Sequence, residues 1–349
     1  MKKLFIVLSL FFVILFISCE LACTDNTVTI LSYNVCNLFD AVRDGSEYPE
    51  YDPATGAWNE TLFKKKLLRI AEVIKSSVQG GPDIILLQEI ENTRVLQTLV
   101  AEGLEGMGYN YLCAPGKTLT ATTVGVASKL PVSRVSVYML SPPSQQAGEA
   151  LRDILEVTVL CGDRTLIIFN AHWKSKSEGA AVTEPGRLEA AALIAKRVRE
   201  IRSADKEALI IVAGDLNESS DEYAKTGRQY QTALIETAEK VPDEFGEKSL
   251  FLSNAGDEAG VREKSVVFFE PWYTVAESSR GSYVFSGAWE TLDHILFMPK
   301  KEGLRFKSFQ RIVKTAMLDP LSGRPLNWDK KRPDSGYSDH LPVLLTLEK

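Results

Sequence analysis

The chain has 349 residues, 45% of them hydrophobic and 25% charged, with a net charge of −6. That composition excludes a disordered or collagen-like polymer and allows one large folded domain or two ordinary ones. The acidic balance also excludes a general polyanion-coating protein, so any contact with nucleic acid has to be local.

The chain opens with a basic "MKK" and an apolar run, "LFIVLSLFFVILFI", at 4–17. As a helix that run covers roughly 21 Å, short of the ~30 Å hydrocarbon core, so it reads as a secretory signal rather than a spanning helix. "FISC" then sets Ser18 before Cys19, which resembles a bacterial lipoprotein signal. On that reading residues 1–18 are removed, and Cys19 is lipidated and becomes the mature N-terminus. The protein is then extracytoplasmic and membrane-anchored. Ordinary cleavage without lipid, giving a secreted protein, is the alternative, and Cys23 is a rival attachment site. Without residues 1–18, 38 basic residues face 46 acidic ones. Cys23, Cys36, Cys113 and Cys161 then remain; their spacings match no zinc pattern, which leaves buried thiols or one disulfide among several possible pairings.

From residue 27 onward short apolar, β-branched runs recur: 27–34, 83–89, 123–128, 153–160, 165–170, 208–215, 294–298 and 341–347. Several are apolar throughout, which predicts strands buried on both faces. "GDRT" (162–165) between two of them predicts a hairpin turn. Helical periods intervene. Phe63, Leu67, Ile70, Ile74 and Val78 share one face of 62–78, and Leu188, Ala191, Ala195, Val198 and Ile201 share one face of 185–201, with Pro185 near the first turn. Strands joined by both hairpins and helices imply mixed sheets with helices outside them. No linker divides residues 27–349, so a single domain is expected. The stretches 40–60 and 218–285 lack clean periods and predict irregular insertions that shape a cleft.

Polar residues accumulate at the strand boundaries. Asn34 ends "ILSYN", Glu89 ends "IILLQE", Asn170 and His172 end "LIIFNAH", and Asp215 and Asn217 end "LIIVAGDLN". Asp293 precedes "HILFM", and Asp339 and His340 precede "LPVLL". A mixed sheet brings the ends of some strands to the rim where others begin, so these groups can surround one cleft. A pair such as Asp339–His340 is costly there unless it is partnered or binds metal. Singly, each signal has a plainer reading. "GDLN" suits a turn, Glu89 suits a cap, Asn34 suits a buried amide, and His172 suits a partly buried histidine. The runs "KKK" (64–66), "HWKSK" (172–176) and "DKKRP" (329–333) are either solvated faces or local anion contacts.

In order, "SYN", "LLQE", "NAH", "GDLN", "LDH" and "SDH" resemble the endonuclease/exonuclease/phosphatase superfamily. It includes pancreatic-type deoxyribonucleases, abasic-site endonucleases, sphingomyelinases and inositol-polyphosphate phosphatases. The resemblance spans about residues 27–347 and implies an α/β fold, a four-layer sandwich of two packed mixed β-sheets flanked by helices. It implies that Glu89 is the main metal ligand, with Asn34 and Asp339 assisting. His340 is then the general base or the group orienting the attacking water, with Asp293 holding its imidazole. Asp215 and Asn217 position the nucleophile and stabilise the transition state, and His172 hydrogen-bonds a phosphate oxygen. Which of Asp215 and His340 takes the proton stays open. His294 departs from the pattern and is expected to be structural.

Carboxylates and amide oxygens suit a hard ion, Mg²⁺ or Mn²⁺, better than a closed zinc site. A zinc hydrolase is disfavoured by the absence of HExxH-like spacing, and a serine hydrolase by the absence of G-x-S-x-G. The expected function is therefore a metal-dependent phosphodiesterase, an extracytoplasmic and monomeric endonuclease acting on nucleic acid. The alternatives are a sphingomyelinase-like phospholipid or inositol-phosphate phosphodiesterase and a catalytically silent surface binding lipoprotein. "NAHWKSKSEG" and "RLEAAALIAKRV" resemble the matching stretches of secreted bacterial nucleases. Either Trp173 stacks on a base while Lys174 and Lys176 approach phosphates, or Trp173 packs under the cleft and the lysines are solvated. For a lipid substrate, "VVFFEPWYTV" within 218–285 is the place for a bilayer-docking aromatic segment.

Overall fold

The computed structural model describes residues 26–116, 119–141, 150–300 and 303–349. The expected signal segment 1–18, with Cys19 and Cys23 after it, lies outside them. Two mixed sheets pack face to face. In the first, the strands lie in the order Arg305–Arg311, Val343–Glu348, Thr27–Leu38, Ile84–Ile90, Thr123–Ser128, Tyr111–Cys113. The second runs Val132–Tyr138, Ile154–Cys161, Arg164–His172, Leu209–Asp215, Asp293–Met298, Val266–Phe269, Leu250–Ser253, Leu234–Glu236.

Three apolar clusters define the layers. Val28, Ile30 and Ile84 of the first sheet meet Val157, Ile168, Ile211 and Ile295 of the second in the central core. On the outside of the first sheet, Leu31, Ile85 and Leu87 pack against Phe63, Leu67, Ile70 and Ile74. Those four belong to the helix Glu60–Ser77, which Asn59 caps by accepting from the Leu62 N–H. Outside the second sheet, Phe169, Ile210 and Val212 pack on Ala190, Ala191, Ile194 and Val198 of the helix Ala180–Ala204. The result is the expected four-layer sandwich. Strands buried on both sides explain why so many of the runs are apolar throughout.

Two expectations need correction. The helix around Pro185 begins at Ala180, five residues ahead of the proline. The buried Arg187 guanidinium ties down that first turn, donating to the Ala180 carbonyl at 2.8 Å. The stretch 218–285 is not simply an irregular insertion: it supplies four short strands to the second sheet, three that extend it and Gly260–Val261, which pairs with Val266–Phe269 off the main order. Strands of two to four residues are too short to show a period. "VVFF" is one of them, and Phe268, Phe269 and Trp272 are buried core while the half-buried Tyr273 is tied to Glu236 at 2.6 Å, so that segment does not form an exposed aromatic hairpin. Cys36 and Cys113 are free thiols, Cys161 is buried in the central core, and among the described residues no helix is long and apolar enough to cross a membrane.

Candidate active site

Strand register assembles half of the site. His172 lies opposite Asp215 across a parallel pair, and Asp293 lies opposite Asp215 across the antiparallel pair on the other side. Residues in matched register on neighbouring strands point to one face, so the three side chains stand in a row at the sheet end. The parallel pair approaches so closely there that a Cβ on Gly214 (φ 131°) would sit 1.8 Å from the Ala171 carbonyl oxygen. Only glycine fits before Asp215.

The facing sheet supplies the rest, through irregular strand ends. Cys36, Asn37 and Glu89 have φ of 53°, 65° and 64°, at the points where the register between the two central strands of the first sheet shifts. Such bulges re-aim side chains, at a cost of about 1–3 kcal/mol for each left-handed residue. Glu89 is thereby turned to the rim. There Asn34 Nδ2 donates to Glu89 Oε1 at 3.2 Å and to Asp215 Oδ2 at 2.9 Å, which ties the two sheets together. Asn217 (φ 51°) donates its N–H to Asp215 Oδ1 at 2.9 Å and its side-chain Nδ2 to the Trp173 carbonyl at 3.1 Å.

His340 sits in the loop before the last strand, its Nδ1 2.7 Å from Asp293 Oδ2 and its Nε2 3.7 Å from Asp215 Oδ2. Ser338 fixes that loop. Its hydroxyl donates to the Asn34 carbonyl at 2.7 Å and accepts from the His340 N–H at 3.1 Å. The Tyr283 ring lies 4.6 Å from the imidazole, tilted by 31°.

Burial dominates the electrostatics. It pulls His340 towards neutrality, but Asp293 and then Asp215 outweigh it and hold the imidazole well above its ordinary range. Burial pushes Asp215 up to about 7, against His340 and the hydrogen bonds from Asn34 and Asn217. His172 goes the other way. Burial first, then Arg152 and His340, keep it well below the usual range, as a neutral ring. Its Nε2 lies 3.4 Å from Asp215 and 3.9 Å from Glu89, while Nδ1 has no hydrogen-bond partner among the described residues.

The donor set fits a hard divalent cation. The Glu89 carboxylate is partly exposed, and Asp339 is close enough that both charges act on Cys36 and Lys66. The Cys36 thiol is held protonated by burial and by Asp339, which leaves oxygen as the available ligand type. Among the described residues no three His, Cys, Asp or Glu side chains form a closed cage. One or two carboxylates with the remaining positions left to water and phosphate is the mode Mg²⁺ prefers. Asn34 differs from expectation: its nitrogen faces both carboxylates and its oxygen accepts from the Cys36 N–H at 3.0 Å, so it serves here as a cross-link.

Asn34, Glu89, His172, Asp215, Asn217, Asp293, Asp339 and His340 thus share one rim, and Cys19 lies outside the described residues. His294 is turned away, fully buried between Glu270 (2.6 Å) and the Glu218 carbonyl (2.9 Å). Trp173 is buried and cannot stack on a base. Lys174 pairs with Glu178 (2.8 Å), and Lys176 pairs with Glu222 and Glu290 (3.0 and 3.1 Å). The "HWKSK" run is therefore a neutralised face.

Sequence reasoning missed three supports: Ser338, Tyr283 and Lys66. Lys66 is buried beneath the acidic rim, donating to the Cys36 carbonyl and, at 3.0 Å, to the Asn37 carbonyl. A lysine among three gives no sign of burial; its place on the apolar face of the 62–78 helix, one residue before Leu67, was the available signal.

Residues 29–233, more than half of the chain, match the model of the Endonuclease/Exonuclease/phosphatase family. The chain belongs to that family. Its enzymes are hydrolases of phosphate esters that typically use a divalent metal. No curated protein matches the sequence. Solved structures share the fold at low identity. D. rerio TDP2 complexed with single-strand DNA product is 15% identical with a TM-score of 0.55, over 93% of this chain and all of that one. TDP2 from Caenorhabditis elegans is 14% identical with a TM-score of 0.54, over 93% and 74%. A family protein from Bacteroides vulgatus is 17% identical with a TM-score of 0.52, over 92% and 98%.

Proposed function

We propose that this family member is a Mg²⁺- or Mn²⁺-dependent phosphodiesterase that cleaves nucleic acid outside the cytoplasm, held to the membrane by lipid on Cys19. The observation carrying the catalytic reading is the row His172–Asp215–Asp293 facing Glu89, with His340 clamped to Asp293. Glu89 and Asp339 would hold the ion, which when bound would polarise a phosphoryl oxygen. Asp215, tuned near neutral pH by burial, takes the proton of an attacking water held between it and His340. His340, kept positive by Asp293 and Asp215, faces the charge that builds on the phosphoryl group. His172 offers a neutral N–H to a non-bridging oxygen. Asn34 and Asn217 keep Asp215 aimed. One well-placed donor of this kind is worth about 3–4 kcal/mol of barrier.

Nucleic acid is the favoured substrate because a related fold, D. rerio TDP2, is seen with single-strand DNA product. The rim also carries a hairpin, Tyr283–Phe285 with Ala288–Glu290, whose Phe285 is 60% exposed. Exposed aromatic rings beside a phosphate site suit base stacking. Plasmid and single-strand cleavage with Mg²⁺ and with a chelator, beside sphingomyelin and inositol-phosphate hydrolysis, tests the reading. Turnover of the phospholipid alone would transfer the activity to lipid, and no turnover on any ester would favour a binding role. For the anchor, Cys19→Ser should release the protein into the soluble fraction; continued partitioning into detergent would reject lipidation there.

A further inference from the structure

The catalytic groups occupy one end of both sheets, and the opposite end carries a different charge. Arg199 and Arg202 of the long helix, Lys206 just after it, Lys300 after the Asp293–Met298 strand, and Arg305 line a cavity of about 800 Å³. Glu207 and Asp257 are its acidic members. Arg199 and Arg202 are half-buried and anchored through the Gly246 and Pro299 carbonyls at 2.6 and 3.0 Å. Lys206, Lys300 and Arg305 are exposed and form no ion pair with a carboxylate among the described residues. In a chain of net charge −6, the cavity is a local reversal of sign, bordered by Asp243, Glu244, Glu247 and Glu263 of the adjoining cavity that shares Arg199. It also contrasts with Lys64, Lys65, Lys174 and Lys176 of the basic runs "KKK" and "HWKSK", which are tied to carboxylates.

Strand pairing locates this cavity. Arg305 and Thr27 both lie opposite Glu348 on its two sides, and the Lys349 N–H donates to the Asn26 carbonyl at 2.8 Å. The chain before Asn26 therefore leaves the described fold at the pole that carries Arg305. Cys19 can be no more than about 25 Å from Asn26 along an extended chain. The catalytic rim is at the far pole, about 20 Å away along the Leu209–Asp215 strand.

We propose that this basal pole is a docking face for an anionic bilayer, where Arg199, Arg202, Lys206, Lys300 and Arg305 receive phosphate headgroups. Docked in this way, the protein turns its catalytic rim away from the membrane, towards soluble polymer. The proposal stands on the position of the charges and not on the catalytic assignment.

The test is vesicle flotation of a chain beginning at Glu20, which lacks both the apolar segment and a lipid; every described element of the fold lies after Asn26. Binding is expected to vesicles of phosphatidylcholine with phosphatidylglycerol, not to phosphatidylcholine alone, and to fall with salt. Each basic residue near an anionic surface contributes roughly fivefold, so Lys206→Glu, Lys300→Glu and Arg305→Glu together should lower partitioning about 10²-fold or more. Melting temperature and phosphodiester cleavage should not change. The milder pair Lys206→Gln and Lys300→Gln should give a smaller loss in the same direction. Equal binding to both vesicles, or unchanged binding by the variants, overturns the proposal. Loss of inorganic phosphate binding without loss of vesicle binding would also overturn it, in favour of a small-anion site. Loss of DNA binding alone would do so in favour of a nucleic-acid face.

Discussion

Asp293 binds His340 at 2.7 Å across 47 residues of sequence, and the same Asp293 sits opposite Asp215 in the ladder of the second sheet. One carboxylate thus aims the imidazole and, through strand register, fixes its distance to the neighbouring acid. If Asp215, His340 and Asp293 act as a unit, His340→Ala and Asp215→Asn should each lower kcat by about 10²–10⁴-fold, and the double variant by little more than the worse single. Steady-state kinetics of the three proteins reads this directly; fully multiplicative losses would separate the two roles.

The contrast between His294 and His340 gives a second expectation. The His294 ring bonds Glu270 and the Glu218 carbonyl and no rim side chain among the described residues, and its removal leaves the buried Glu270 carboxylate with only the Ser220 hydroxyl and the Trp272 N–H as donors. His294→Ala should cost about 3–5 kcal/mol of stability while the folded fraction keeps kcat within a few-fold. Urea unfolding together with kinetics distinguishes this from a catalytic role, in which the losses would be reversed.

The same pair gives a pH dependence. Burial lowers the affinity of His294 for its proton, but Glu270 and the Glu218 carbonyl outweigh it, so the folded value is raised above 6.5. The native state then binds more protons than the unfolded chain at pH above about 6.5. This contribution is full below that pH and is lost as pH rises through the raised value. Unfolding free energy should therefore fall with rising pH across that window, with a shallower slope in His294→Gln. A slope that is unchanged in the variant would reject the assignment.

Behind the rim, Arg187 is fully buried and donates to Glu184 (2.6 Å) and Glu218 (3.0 Å), whose second oxygens accept the Ala233 and Leu234 N–H groups. This network ties the long helix to the segment just after Asn217. Arg187→Ala should cost about 3–5 kcal/mol because it strands two buried carboxylates. Gly214→Ala should be comparably damaging, since its Cβ would collide with the Ala171 backbone. Thermal or denaturant midpoints check both, and a wild-type midpoint in either would contradict the packing described.

Much of the site was legible in the sequence because the catalytic groups end apolar runs, and an apolar run interrupted by Asp or His is conspicuous. The central strands were legible for the same reason. Edge strands were not: "VSRVSVY" alternates weakly on a half-exposed edge and "RFKSFQR" is largely polar. Lys66 and Arg187 were hidden because a charged side chain announces nothing about burial; only the assembled partners show it. Trp173 misled in the opposite sense, because an aromatic beside lysines suits nucleic acid until its burial is known. The basal cluster draws on residues from 199 to 305, which no local run could reveal.

The most direct test of the central claim is Mg²⁺ titration of DNA cleavage by the unmodified protein and by Glu89→Gln, with chelator controls. Chelation should abolish cleavage and added Mg²⁺ restore it. Glu89→Gln should need at least about tenfold more Mg²⁺ or lose activity altogether. Cleavage that persists in chelator, or a Mg²⁺ requirement indifferent to Glu89, would contradict a cation site at this rim.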